Sequence, residues 1–226
     1  MEHLVNFTGY MIFSSLEYFS IFFLIFSFFR LYPENYKKEI AYLTFGSTFF
    51  SYILVLLKIH NYIPLPLLIM PVVIYILKKI LDRKLRYAII STVSGFIFFL
   101  SVQFIVISIS IFFDISTTKT IHEPFILSSY FHQLIGSIIT ICIALFIKIF
   151  NGGYGFTFKK KLSSSKSRLF LIVTLTLGLL SIINFTTFLL TESSSISGTI
   201  LIATASLISV LIITYFSNKM DNIEYS

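Results

Sequence analysis

Residues 87–113 read YAIISTVSGFIFFLSVQFIVISISIFF, without one charged side chain between Arg86 and Asp114. About 20 mostly apolar residues carry an α-helix across the hydrocarbon of a bilayer, so this stretch predicts a transmembrane helix with a basic run, RKLR at 83–86, at one end. Stretches of the same kind lie at 7–29, 40–57, 62–77, 125–150, 169–190 and 198–216. They predict an all-α fold, a polytopic bundle of about seven spans that forms a single integral membrane domain over 1–226. Composition agrees: 56% hydrophobic residues and a mean hydropathy of +0.91 stand far above a soluble domain.

The basic residues predict the orientation. Of the 17 Lys and Arg residues, only Lys58 and Lys119 fall outside four segments. Those segments hold Arg30, Lys37 and Lys38; then Lys78, Lys79, Arg83, Lys84 and Arg86; then Lys148, Lys159, Lys160, Lys161, Lys166 and Arg168; and last Lys219. With seven crossings all four lie on one side, and Lys/Arg-rich short loops stay cytoplasmic. The N-terminus is therefore expected outside and the C-terminus inside. The net charge of +7 is a topological signal that also suits anionic lipid headgroups; bases scattered among apolar spans do not form a nucleic-acid footprint. The first apolar stretch has no basic region ahead of it and is expected to be a retained span, not a signal peptide. A single cysteine, Cys142, excludes an intrachain disulfide. The weight of Ile, Phe, Lys, Asn and Ser without Trp fits an AT-rich bacterial genome, and hence a bacterial cell membrane. Tyrosines stand in for Trp at the interfaces, with Tyr10, Tyr62 and Tyr130 expected at the outer boundary and Tyr32, Tyr36, Tyr87, Tyr154 and Tyr215 at the inner.

Glu17, in FSSLEYFS, is the sole acid inside a span. A carboxylate in hydrocarbon costs roughly 2.5–3.5 kcal/mol on insertion scales and usually faces the bundle interior or a cavity. It reads either as a ligand or proton-coupled group or as a structural hydrogen-bonding residue. Gln103, His132, Gln133 and Asn184 complete the candidate ligand-binding set, being the other large polar groups in or near the spans. The third span, YIPLPLLIMPVVIYIL, holds Pro64, Pro66 and Pro71. Proline removes a backbone donor, so the chain is expected either to enter irregularly beside an outer cavity and turn helical after Pro71, or simply to form a helix that starts late with prolines in its first turns. His3, His60, His122 and His132 match no zinc spacing, and no metal or cofactor is expected. Motifs for zinc peptidases, serine hydrolases and nucleotide-binding loops are missing, so no catalytic residue is assigned. The linker 151–168, NGGYGFTFKKKLSSSKSR, is the longest stretch outside the predicted spans, and 114–124, DISTTKTIHEP, the largest external one.

The order of these features resembles the membrane sensor region of bacterial sensor histidine kinases of the GHKL class, including peptide-sensing ones. SSLEYF in the first span, the proline-bearing third span, RKLRYAIISTVSGFIFFLSVQF at 83–104 and NGGYGFTF at 151–158 carry the likeness. The resemblance implies a seven-span sensing or regulatory module. The chain departs from that family in ending ten residues after the seventh span, at SNKMDNIEYS, with no room for a phosphoacceptor helix or an ATP-binding domain. The implied partner, besides the lipid bilayer, is a separate histidine kinase or a paralogue. The alternative is a membrane subunit of a transporter, a substrate-binding or permease component that would pair with an ATPase subunit. A protective protein of the immunity kind is a third reading.

Overall fold

A computed structural model describes residues 2–58, 65–80, 85–115, 125 and 127–150, and positions 172–174, 176, 177, 180, 204 and 208. Among them every regular element is helical. In chain order they are α1 (Glu2–Phe28), a 3₁₀ turn (Pro33–Tyr36), α2 (Lys37–Leu56), α3 (Leu65–Ile80), α4 (Leu85–Phe112) and α5 (Leu127–Ile149). The all-α architecture read from the sequence is thus present. Four segments, Asn6–Phe28, Pro33–Leu56, Ala88–Phe112 and Leu127–Ile149, are long and apolar enough to cross a membrane. The stretches at 169–190 and 198–216 and the linker 151–168 lie almost wholly outside the described residues.

α3 differs from its expectation. Its 16 residues rise about 24 Å, less than the ~30 Å of hydrocarbon. The helix also starts at Leu65 and runs through Pro71, so the backbone is not irregular up to that proline. Pro66 falls in the first turn, where an amide has no intrahelical acceptor to lose, and Pro71 costs the ladder one bond.

Why these helices belong in lipid is visible in what they expose. On α2 the buried positions Ile40, Leu43, Thr44, Ser47, Thr48, Ser51, Leu54 and Val55 follow helical spacing. The opposite face presents Tyr42, Phe45, Phe49, Phe50 and Ile53. A helix with hydroxyls inside and aromatics outside is inverted relative to a soluble amphipathic helix. It suits a solvent as apolar as leucine.

Contacts fix the relative direction of the helices. Tyr10 Oη donates to Ser51 Oγ at 3.0 Å and Ser15 Oγ to Thr48 Oγ1 at 3.3 Å, so α1 and α2 are antiparallel. Phe13 stacks on Tyr130, and Lys148 forms an ion pair with Glu34 beyond the end of α1, so α1 and α5 are parallel. Gly95 of α4 abuts Ile25 near the end of α1, while Gln103 abuts Gly136 in the first half of α5, so α4 runs antiparallel to both. We call the half holding the start of α1 the upper half and the other the lower. Arg30, Lys37, Lys38 and Lys148 all lie at the lower end, and four residues join the end of α3, with Lys78 and Lys79, to the start of α4 there.

Two helices close without glycine. Leu31 N–H reaches Phe26 O at 2.8 Å while Arg30 N–H reaches Ser27 O, and Ile115 and Asp114 repeat the pattern on Ser110 and Ile111. These are Schellman ends, which need a left-handed residue. Arg30 (φ 53°) and Asp114 (φ 54°) supply it.

Candidate functional site

On α1, Tyr10, Ser14, Glu17, Ile21, Leu24 and Phe28 recur at spacings of four and three, the period of a stripe facing a helix bundle. Five of them are buried; Glu17 is only half-buried. Its backbone carbonyl accepts from Ser20 Oγ at 2.7 Å, but among the described residues no hydrogen bond reaches its carboxylate.

The seam between α1 and α2 is built from hydroxyls. Thr48 Oγ1 donates to Thr44 O and Ser51 Oγ to Thr48 O, both at 2.9 Å, while each accepts from α1. Back-bonding to the preceding turn satisfies these hydroxyls inside a helix without water. The Glu17 carboxylate acts electrostatically on the hydroxyls of Tyr10 and Tyr18, and Tyr18 also reaches Ser51. The sequence reading placed Tyr10 and Tyr130 as belt residues at a membrane boundary. The structure corrects this: both turn inward, at 4% and 8% exposure, because Tyr10 has a partner on α2 and Tyr130 packs on a glycine. A Cβ at Gly9 would stand 3.2 Å from the Tyr130 ring and hydroxyl.

A second seam joins α4 to α5. Gln103 is buried, and its amide lies so close to the α5 backbone that a Cβ on Gly136 would stand 2.5 Å from Nε2. Gly136 O accepts from Thr140 Oγ1 at 2.7 Å. His132, one turn above, is buried with Nδ1 2.5 Å from Ser128 O; Gln133 is half-buried. The structure thus places Gln103, His132 and Gln133 within about one turn of one another, on the two helices that flank α1, while the described contacts do not join Glu17 to any of the three. Asn184 lies outside the described residues.

Several buried polar atoms in this half have no hydrogen-bond partner: Ser14 Oγ, Tyr130 Oη, Gln133 Oε1, Ser137 Oγ and Gln103 Nε2. An unmade buried hydrogen bond costs about 1–3 kcal/mol, so a group of them along about two helical turns is where water or a polar ligand belongs. Sequence reading missed Tyr10, Ser14, Tyr130 and Ser137. The available signal was the spacing of Thr44, Ser47, Thr48 and Ser51, which places four hydroxyls on one face of α2.

The lower half has the opposite chemistry. Phe22, Phe26, Phe29 and Phe96 are among the largest fully buried side chains, and they join Ile25, Leu43, Val73, Leu77, Val93 and Phe99 in one apolar cluster. Gly95 lets α4 close on Ile25 of α1, where a Cβ would collide. Small buried hydroxyls occur in this half too, and those of Ser27, Thr44, Thr92 and Ser94 lack a hydrogen-bond partner, but among the described residues no large polar side chain is buried there. Among the described residues no three His, Cys, Asp or Glu side chains converge as a metal would need. No protein-family model, curated protein or solved structure matches the chain.

Proposed function

We propose that this is a seven-span protein of a bacterial cell membrane, with its N-terminus outside and its C-terminus inside, that senses a polar ligand from the outer side without catalysing a reaction. The observation that carries the reading is the division of the bundle. Among the described residues, Glu17 and the large side chains with unpartnered polar atoms, Gln103, Tyr130 and Gln133, lie in the upper half, and close-packed phenylalanines fill the lower, where the unpartnered atoms are the small hydroxyls of Ser27, Thr44, Thr92 and Ser94. The upper half faces out when the lower, basic end obeys the positive-inside rule. A ligand can then enter from outside and meet a plug in place of a path through. Such an arrangement suits a receptor whose occupancy biases helix positions at the far end. The bias is limited to the difference in the ligand's affinity for the two arrangements. A separate histidine kinase, or a paralogue carrying one, is the partner that would read the change.

Two labelling experiments test this. In a Cys142→Ala background an impermeant thiol reagent added outside is expected to label Lys119→Cys and Ser194→Cys and to spare Lys84→Cys and Ser164→Cys; labelling at position 84 from outside overturns the orientation. In vesicles, conditioned medium is expected to change the reactivity of Tyr154→Cys and Ser164→Cys. Substrate accumulation with no such change would replace sensing by transport.

A further inference from the structure

Gly9, Phe13 and Glu17 follow one another at four-residue intervals on α1 and so share a face. Tyr130 lies along it, its ring against Gly9 and stacked on Phe13 at 4.7 Å and 13° between planes. The carboxylate therefore sits one turn below an aromatic pair, and the Tyr130 hydroxyl, on a side chain more than nine-tenths buried, has no hydrogen-bond partner. Ser14, one turn from Glu17 and 2% exposed, has an equally unpartnered hydroxyl. We propose that this corner of the upper half is a binding site for an organic ammonium ion, which pairs with the Glu17 carboxylate, lies against the face of Phe13 turned away from Tyr130, and hydrogen-bonds to the free hydroxyls where it carries N–H groups. The inference rests on the reading of the upper half as a ligand site and names the ligand's chemistry.

Charge disfavours an anion there, since among the described residues Glu17 is the only carboxylate in a helix interior and no Lys or Arg lies beside it, Lys58 standing exposed beyond the end of α2. An inorganic cation would require a closed shell of oxygens. The nearby hydroxyls of Thr48 and Ser51 are already committed, each donating to its own helix and accepting from α1. What the corner still offers is one carboxylate, a ring face and two hydroxyls. Ring faces attract organic cations through their quadrupoles, most strongly where water is excluded.

The chain has no Trp and 13 tyrosines, so emission of the full-length protein in lipid nanodiscs is tyrosine emission, and the part of any quench lost in Tyr130→Phe is the part that reports on Tyr130. Choline and its uncharged isostere 3,3-dimethylbutan-1-ol are the probes. Choline is expected to quench saturably and the isostere not. Glu17→Gln is expected to weaken choline binding about tenfold or more, as loss of a charge-assisted contact does, and Phe13→Leu by roughly threefold to tenfold. The proposal is overturned if the isostere titrates like choline, if Glu17→Gln in a monodisperse preparation binds choline unchanged, or if sodium at equal concentration displaces it. The first comparison needs wild type only and stands whether or not a variant folds. Choline binding without any change at the inner cysteines would leave the site and reject sensing; an inner response to conditioned medium, with choline and isostere alike, would do the reverse.

Discussion

The upper and lower halves of the bundle are built from the same helices, yet they solve different problems. Below Glu17, α1 shares one apolar cluster, through Ile21, Phe22, Ile25 and Phe28, with Val93, Phe96 and Phe99 of α4, and glycine at 95 lets the two helices close. Above it, α1 offers Tyr10, Ser14 and Glu17 to α2 hydroxyls and to Tyr130, and buried polar atoms remain unmatched. In lipid no water is released when helices meet, so association depends on van der Waals fit and hydrogen bonds. A half with good fit holds the bundle together; a half with open polar groups contributes little to stability and is free to bind.

The largest effect that would break this contrast is expected from Phe26→Ala. Truncation of a fully buried Phe costs about 3 kcal/mol, the low end for packed cores, because in lipid the loss is mainly of contacts. Ser137→Ala, equally buried in the upper half, is expected to move stability by less than about 0.5 kcal/mol. Reversible unfolding in mixed micelles measures both, and equal costs would erase the distinction. Next comes Gly136→Ala, expected to destabilise by about 1 kcal/mol through overpacking. The clash is with the Gln103 amide, so Gln103→Ala in the same chain should recover most of that loss. A double-mutant cycle with no coupling would place the two helices differently. Tyr10→Phe, which deletes the bond to Ser51, is expected to cost about 0.6 kcal/mol, the average for interhelical hydrogen bonds in a membrane. The smallest effect is a gain: Lys58 ends α2 with φ at 56°, and Lys58→Gly is expected to add about 0.5 kcal/mol by relieving a left-handed side chain.

How much of this was written in the linear chain depends on the kind of interaction. Apolar runs bounded by charge are local, and the helices at 2–28, 37–56, 85–112 and 127–149 fall within a few residues of the stretches read at 7–29, 40–57, 87–113 and 125–150. Glu17 stood out because one acid among so many apolar residues is conspicuous without any fold. Tyr10 and Tyr130 did not. A tyrosine near a span end looks the same whether it faces headgroups or a partner helix, and Ser51 and Gly9, which decide the matter, are distant in sequence. Pro71 misled for a related reason, since proline's cost inside a helix is set by whether neighbours hold the helix together. The pairing of Gln103 with Gly136 was likewise out of reach, because it depends on how α4 and α5 cross.

The central claim is that the upper half is open to polar solutes from one side and the lower half is sealed. Single cysteines at Ser14, Ser137, Thr92 and Ser94, in a Cys142→Ala background, test it directly with a small charged thiol reagent applied to either face of oriented membranes. The account predicts modification at 14 and 137 from the N-terminal side alone and no modification at 92 or 94 from either side. Reaction at 94, or protection of both 14 and 137, would contradict it.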